Sequence, residues 1–217
     1  MGIPVLILGA SGTGKSTSLR NFQKGEIGIM NVAGKPLPFR NKLDVANTSD
    51  YEGIKSALMR NTFKAYAIDD SQYLMAFAMF SRASEKGYEK FTQIAVDFQQ
   101  LLNVIVRGTS NDTIVYLLHH TEMDDSGNIK AKTIGKMLDQ QLTLEGLFSV
   151  VLMAQTDGEK YSFITNGAPP AKSPVDMFAT REIANDLRAV DAAIREYWEL
   201  KPLRNVNEME DNNGKSV

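Results

Sequence analysis

The chain has no cysteine and only two histidines. The missing thiols remove disulfides, thiolate nucleophiles and cysteine-ligated metals from consideration and fit a reducing, cytoplasmic setting. With His119 and His120 as the whole imidazole supply, and no spaced acidic loop of the EF-hand type, a dedicated structural metal site is not expected. Any metal should arrive with a ligand. The apolar run IPVLIL at residues 3–8 is far too short to span a bilayer, and no basic segment precedes it, so no membrane partner is expected. Charge of one sign is also missing: a formal net charge of -2 over 217 residues gives no global basic field, which leaves a local basic stripe as the only electrostatic route to nucleic acid.

What is present is order along the chain. Short apolar runs alternate with segments of helical period, the pattern of an α/β fold with a mainly parallel sheet. Strands are expected near residues 5–9, 28–32, 65–69, 113–119, 149–154 and 161–165, the last two forming a terminal β-hairpin across a Thr156-Asp157-Gly158-Glu159 turn. Helices are expected over 15–22, 49–60, 71–84, 88–107 and 183–200. The fourth has the clearest stripe, with Phe91, Ile94, Ala95, Phe98, Leu101, Leu102 and Ile105 at helical spacing, which reads as a core face. Residues 33–41, with two prolines and two cations, and residues 122–136 read as exposed polar loops. Residues 205–217 are polar without an apolar period and are expected to form a disordered tail, leaving 1–204 as one domain.

Between the first strand and the first helix stands GASGTGKS, residues 9–16, which satisfies G-x-x-x-x-G-K-[ST] in the strand-to-helix context that such a loop requires. Gly12 and Gly14 let backbone N–H groups turn inward around phosphate oxygens, and the positive end of the following helix adds to the attraction. Lys15 then faces the β and γ phosphates, and Ser16 offers its hydroxyl to a Mg²⁺ ion that bridges them. We assign Gly9, Ala10, Ser11, Gly12, Thr13, Gly14, Lys15, Ser16 and Thr17 to a nucleoside triphosphate. A glycine-rich turn with a chance lysine is the bland alternative.

A magnesium-dependent site needs a carboxylate at the end of a neighbouring strand. In FKAYAIDDSQYL, residues 63–74, the apolar run ends in Asp69 and Asp70, where open α/β sheets place their ligands. Asp69 is the metal-side carboxylate in this reading. Asp70 either orients or deprotonates the attacking water or caps the following helix. TIVYLLHHTE, residues 113–122, ends a β-branched run in two histidines. Strand alternation lets one imidazole face the γ-phosphate, and His120 is the assignment.

The phosphate loop, the IDDSQYLM stretch from Ile68, the LLHHTE stretch from Leu117 and KTIGKMLDQQLTLEGLF at residues 132–148 together resemble bacteriophage AAA-domain ATP-binding proteins with a RecA-like core, a group that includes Sak-type single-strand annealing proteins. The resemblance covers residues 1–197. It implies a three-layer RecA-like P-loop fold. It also implies an ATPase of DNA recombination, annealing or replication that works in the host cytoplasm as a homo-oligomeric ring or filament on single-stranded DNA, beside a single-strand DNA-binding partner. The absence of an N-K-x-D stretch is compatible with ATP. By analogy with RecA-like proteins, the resemblance implies that lysines after the sensor strand reach a neighbouring subunit's nucleotide, which makes Lys132 and Lys136 either trans-acting fingers or solvated loop charges.

One departure stands out. RecA-like enzymes carry a catalytic glutamate at the end of the second strand, where this chain has Asn31, Val32 and Ala33. Hydrolysis then depends on a substitute such as Asp70, or is slow. Lys35, Arg40, Lys42, Lys130 and Lys132 form the candidate DNA-phosphate set on the two polar loops. A small-molecule kinase and an ATP-dependent switch or loader are the competing readings.

Overall fold

Val5 and Ile7 project from one side of the first strand, Leu6 and Leu8 from the other, and all four are fully buried. A strand apolar on both sides must lie in the middle of a sheet covered on both faces. The computed structural model, which describes residues 1–134 and 143–203, has that architecture.

Among the described residues nine strands form the sheet: β1 (Ile3–Gly9), β2 (Ile27–Asn31), β3 (Asp44–Asn47), β4 (Ala65–Asp69), β5 (Ile114–Met123), β6 (Ile129–Ala131), β7 (Val150–Thr156), β8 (Tyr161–Ile164) and β9 (Glu182–Ala184). They run in the order β3-β2-β4-β5-β1-β7-β8-β9, with β6 paired to the far end of β5. The pairs from β3 through β7 are parallel, whereas β7–β8, β8–β9 and β5–β6 are antiparallel. Helices α1 (Tyr51–Met59), α2 (Gln72–Ser81) and α3 (Glu89–Gly108) bury Ile54, Leu74 and Phe98 against Leu6, Leu8 and Ile68 on one face. On the other face α4 (Leu187–Tyr197) and a 3-10 helix (Ser16–Asn21) set Val190, Ile194 and Leu19 against Val5, Ile7 and Ala67. The stripe expected in α3 is buried from Ile94 to Ile105, whereas Phe91, in its first turn, is only half-buried.

Several expectations shift. The β7–β8 hairpin is present, closed by Asp157 accepting the amides of Glu159 and Lys160 at 3.0 and 2.7 Å, but it is not terminal, because β9 adds to the outer edge of β8. That strand takes Ile183 from the expected helix, which starts only after Asp186 accepts the Arg188 and Ala189 amides as its cap. The expected loop at 122–136 begins as a hairpin: Thr121, Glu122 and Met123 pair with residues 129–131, and Asp124 accepts the Ser126 and Asn128 amides at the turn. The first helix is a short 3-10 segment. Lys136 and the tail from 205 lie outside the described residues. Among the described residues no helix is long and apolar enough to cross a membrane.

Candidate functional site

Parallel strands deliver their carboxyl ends to one edge of the sheet, so residues distant in sequence meet there. Gly9 at the end of β1 lies opposite His120 on β5, and Asn31 at the end of β2 lies opposite Asp69 on β4. The phosphate loop, the acidic pair and the second histidine converge at this edge.

The loop has the conformation its glycines permit. Gly12 and Gly14 adopt φ of 83° and 85°, a region that L side chains rarely enter, and a Cβ on Gly14 would lie 2.6 Å from the Tyr161 ring. Thr13 closes the turn, donating from its hydroxyl to the Ala10 carbonyl at 2.9 Å. Asn185 holds the other side, donating to the Gly14 carbonyl at 3.2 Å while its own carbonyl accepts from Arg20 at 2.7 Å. Because the following 3-10 helix spans only six residues, the loop amides and Lys15 supply the attraction for an anion, with little help from a helix dipole.

Lys15 is buried and donates to the Gly9 and Ala10 carbonyls at 2.7 and 2.8 Å. Burial depresses its ammonium to about 8, against the opposing influence of Asp70 and Asp69. Ser16 Oγ donates to Asp69 Oδ1 at 2.8 Å. Burial pushes the Asp69 carboxyl above its ordinary range, partly offset by that hydroxyl. A hard divalent cation takes oxygen ligands, so this pair fits Mg²⁺, whose charge also relieves the cost of a buried carboxylate. Among the described residues no group of three or more His, Asp or Glu is arranged to hold a metal ion, so a cation at Ser16 and Asp69 would take its other ligands from phosphate and water.

Asp70 does not cap α2: Ser71 occupies the cap position, and the Asp70 carboxylate turns to Lys35 and His120. Lys35 Nζ approaches Oδ2 at 2.6 Å, and His120 Nε2 lies 3.2 Å from Oδ1. Burial disfavours its charge, yet the hydrogen bonds from His120 and Lys35 prevail and hold the carboxyl below the usual range. The backbone here is left-handed, with φ 59°, a strained conformation kept for a position that the surrounding contacts determine. Asn31, standing where a glutamate is the RecA-like pattern, donates to the Lys35 carbonyl at 2.6 Å and so fixes the root of the Lys35 side chain.

The two histidines separate as strand alternation requires. His119 is fully buried, with Nε2 2.7 Å from the Lys132 carbonyl and Nδ1 2.9 Å from Ser71 Oγ. A carbonyl only accepts, so Nε2 carries the proton and the ring is neutral. Burial, only partly opposed by the Lys132 carbonyl, lowers its pKa to about 4. His119 is structural, and His120 faces the site. Lys132 is exposed beside it, lining with His120, Gln72 and Tyr73 a small cavity of about 150 Å³. Lys130 leans toward Glu122 at 3.5 Å on the β5–β6 hairpin.

Sequence reasoning missed the Lys35–Asp70 contact and the Asn185 and Tyr161 supports of Gly14. Lys35 carried a signal, a cation in a proline-flanked loop after β2, but its partner did not. Tyr161 starts β8 and Asn185 directly follows β9, and nothing local marks either as a neighbour of the loop. No family model matches the chain, and no curated protein matches it.

Proposed function

We propose that the chain is a Mg²⁺-dependent, ATP-binding P-loop ATPase with a RecA-like core that acts on single-stranded DNA. The observation that carries this reading is the Ser16–Asp69 hydrogen bond at the carboxyl edge of a parallel sheet, with buried Lys15 in the same loop. A strand order in which β5 separates β1 from β4 supports the RecA-like part, since it brings His120 between the phosphate loop and the acidic pair.

In this reading the loop amides and Lys15 bind the phosphates, and Ser16 and Asp69 hold the magnesium ion. Bound there, the ion supplies charge stabilisation for the phosphoryl oxygens. Asp70 serves as the base. As water oxygen bonds to the γ-phosphorus, the bond from that phosphorus to the β,γ-bridging oxygen breaks, ADP departs with the electron pair, and the water's proton passes to the Asp70 carboxylate. His120 positions that carboxylate. Lys132, exposed at the rim, suits contact with nucleotide on a neighbouring copy; Lys136 shares that assignment by resemblance alone. A homo-oligomer on DNA, cooperating with a single-strand DNA-binding protein in the cytoplasm, completes the proposal and rests on the resemblance.

A second reading, a slow or non-hydrolysing switch, is favoured by one observation: both Asp70 oxygens are already occupied, Oδ2 by the Lys35 ammonium and Oδ1 by His120, so neither is open to the attacking water until one partner leaves. A kinase is less well supported, because the cavity beside His120, about 150 Å³, falls below the roughly 300–1,000 Å³ of ordinary ligand pockets, and the roomier space next to the site is an open cleft lined by Lys24, Lys35, Arg40 and Lys42 rather than an enclosed acceptor pocket. Phosphate release from Mg-ATP with and without a single-stranded oligonucleotide tests the proposal. DNA-stimulated release supports the ATPase; retained, unhydrolysed ATP supports the switch; phosphate appearing on an added nucleotide or metabolite instead of water sinks both.

A further inference from the structure

A net charge of -2 conceals an uneven distribution. After β2 the chain crosses residues 33–43, a segment pinned to the α4 face by Leu37, Phe39 and Leu43, which pack on the core there. Asn41 adds a clasp, donating to the Phe22 carbonyl at 2.6 Å. These apolar side chains are only half-buried, so each packs on the core while part of its surface stays in the lining of an open cleft of about 800 Å³, where the segment also presents its cations. Lys35, Arg40 and Lys42 all face that cleft, together with Lys24. Its one carboxylate, Asp44, already accepts the Gly25 amide at 2.7 Å.

Lys24, Arg40 and Lys42 are exposed and form no ion pair or side-chain hydrogen bond among the described residues. Three uncompensated cations and Lys35 around one concavity repel one another, and an anion with several charges relieves that repulsion. Half-buried Phe39 in the same lining offers a ring on which a base can stack, which a phosphodiester strand uses and an acidic peptide does not.

We propose that this cleft binds the phosphodiester backbone of a single-stranded nucleic acid, and that Lys35, shared between the cleft and Asp70, couples its occupancy to the nucleotide site. The coupling rests on the ATPase reading, whereas the binding does not. Lys35 is 63% exposed along its side chain and Asp70 is 5% exposed, so a strand phosphate reaches the ammonium from outside while the carboxylate stays in place. When Lys35 turns to the phosphate, Asp70 Oδ2 loses the ammonium that occupies it at 2.6 Å and is open to accept a hydrogen bond from the attacking water.

The test titrates the full chain with a fluorescent oligodeoxythymidine of about 20 nucleotides across a salt series. Neutralising four phosphates on a single strand gives a slope of log K against log salt of about -3, an affinity loss of about 50-fold between 50 and 200 mM salt. In the surface variant K24A/R40A/K42A that loss shrinks to about 3-fold. An oligouridine of equal length, run in parallel, tells which sugar the cleft accepts. An unchanged salt slope in the triple variant, no oligonucleotide binding by the wild type, or equal competition by polyglutamate overturns the cleft. For the coupling, K35A should hydrolyse ATP without DNA at the rate that DNA elicits from the wild type; wild-type stimulation retained in K35A overturns it. Calorimetry with Mg-ATP separates the two failures: absent heat defeats the nucleotide reading, whereas normal heat with an unaltered salt slope defeats the cleft alone.

Discussion

Ser16 and Asp69, 53 residues apart in the chain, meet at 2.8 Å between the end of the phosphate loop and the end of β4. A hydroxyl and a carboxylate that share one proton bond already have the spacing that a common cation demands. Replacing Asp69 with Asn preserves an acceptor for the Ser16 hydroxyl but removes the charge that would hold the ion. Calorimetry of D69N is expected to show nucleotide binding without the enhancement that Mg²⁺ gives the wild type. If the enhancement persists, Asp69 is not the metal-side carboxylate.

Lys15 should control both affinity and proton uptake. Its ammonium is the charged donor closest to the phosphate loop, and a hydrogen bond of that kind is worth about 1.5–3 kcal/mol, so K15A should weaken Mg-ATP binding about 10- to 100-fold. Burial sets its pKa at about 8 in the protein alone. A polyphosphate favours the charged form, so binding at pH 8.5 draws a proton from solution and affinity falls as pH rises above 8. Binding heats in two buffers of different ionisation enthalpy report that uptake, which K15M should abolish.

His119 makes stability sensitive to mild acid. Its folded pKa of about 4 lies below the ordinary imidazole value of 6.5, so between these values the unfolded chain binds the extra proton. The sign follows: the protein loses stability as pH falls from about 6.5 to 4, by on the order of 3 kcal/mol, and this group contributes no pH dependence above that window. Urea midpoints measured across the window should fall, and H119Q, which cannot titrate, should flatten the decline.

The opposite end of the sheet is clamped by charge. Tyr116 donates to Asp191 Oδ2 at 2.8 Å, Arg195 donates to the same carboxylate, and Arg195 also reaches the Lys64, Asp112 and Lys201 carbonyls at 2.7, 2.9 and 2.9 Å. Both charged side chains are buried, Asp191 at 0% and Arg195 at 3% exposure. R195A leaves a buried carboxylate unpaired and should cost about 3–5 kcal/mol by chemical denaturation. A loss below about 1 kcal/mol would show that the pair does not secure α4.

The phosphate loop was legible because its chemistry is local: eight consecutive residues carry the glycines, the lysine and the hydroxyl, and the run before them reads as a strand. Asp69 and His120 were legible for a related reason, since each ends an apolar run, and parallel strands present such ends at one edge. The small strands were not. β3, β6 and β9 are four, three and three residues long and acquire their hydrogen bonds only from neighbours already in place, so no local period marks them. Asp70 illustrates the same division. The sequence alone fixed a second carboxylate after the strand and left its partner open between helix cap and water. Its attachment to Lys35 and His120 was decided by tertiary structure, because a loop pinned by Leu37, Phe39 and the Asn31 side chain carries an ammonium across the strand ends to a carboxylate 35 residues away, and no local pattern encodes a contact made across such a distance.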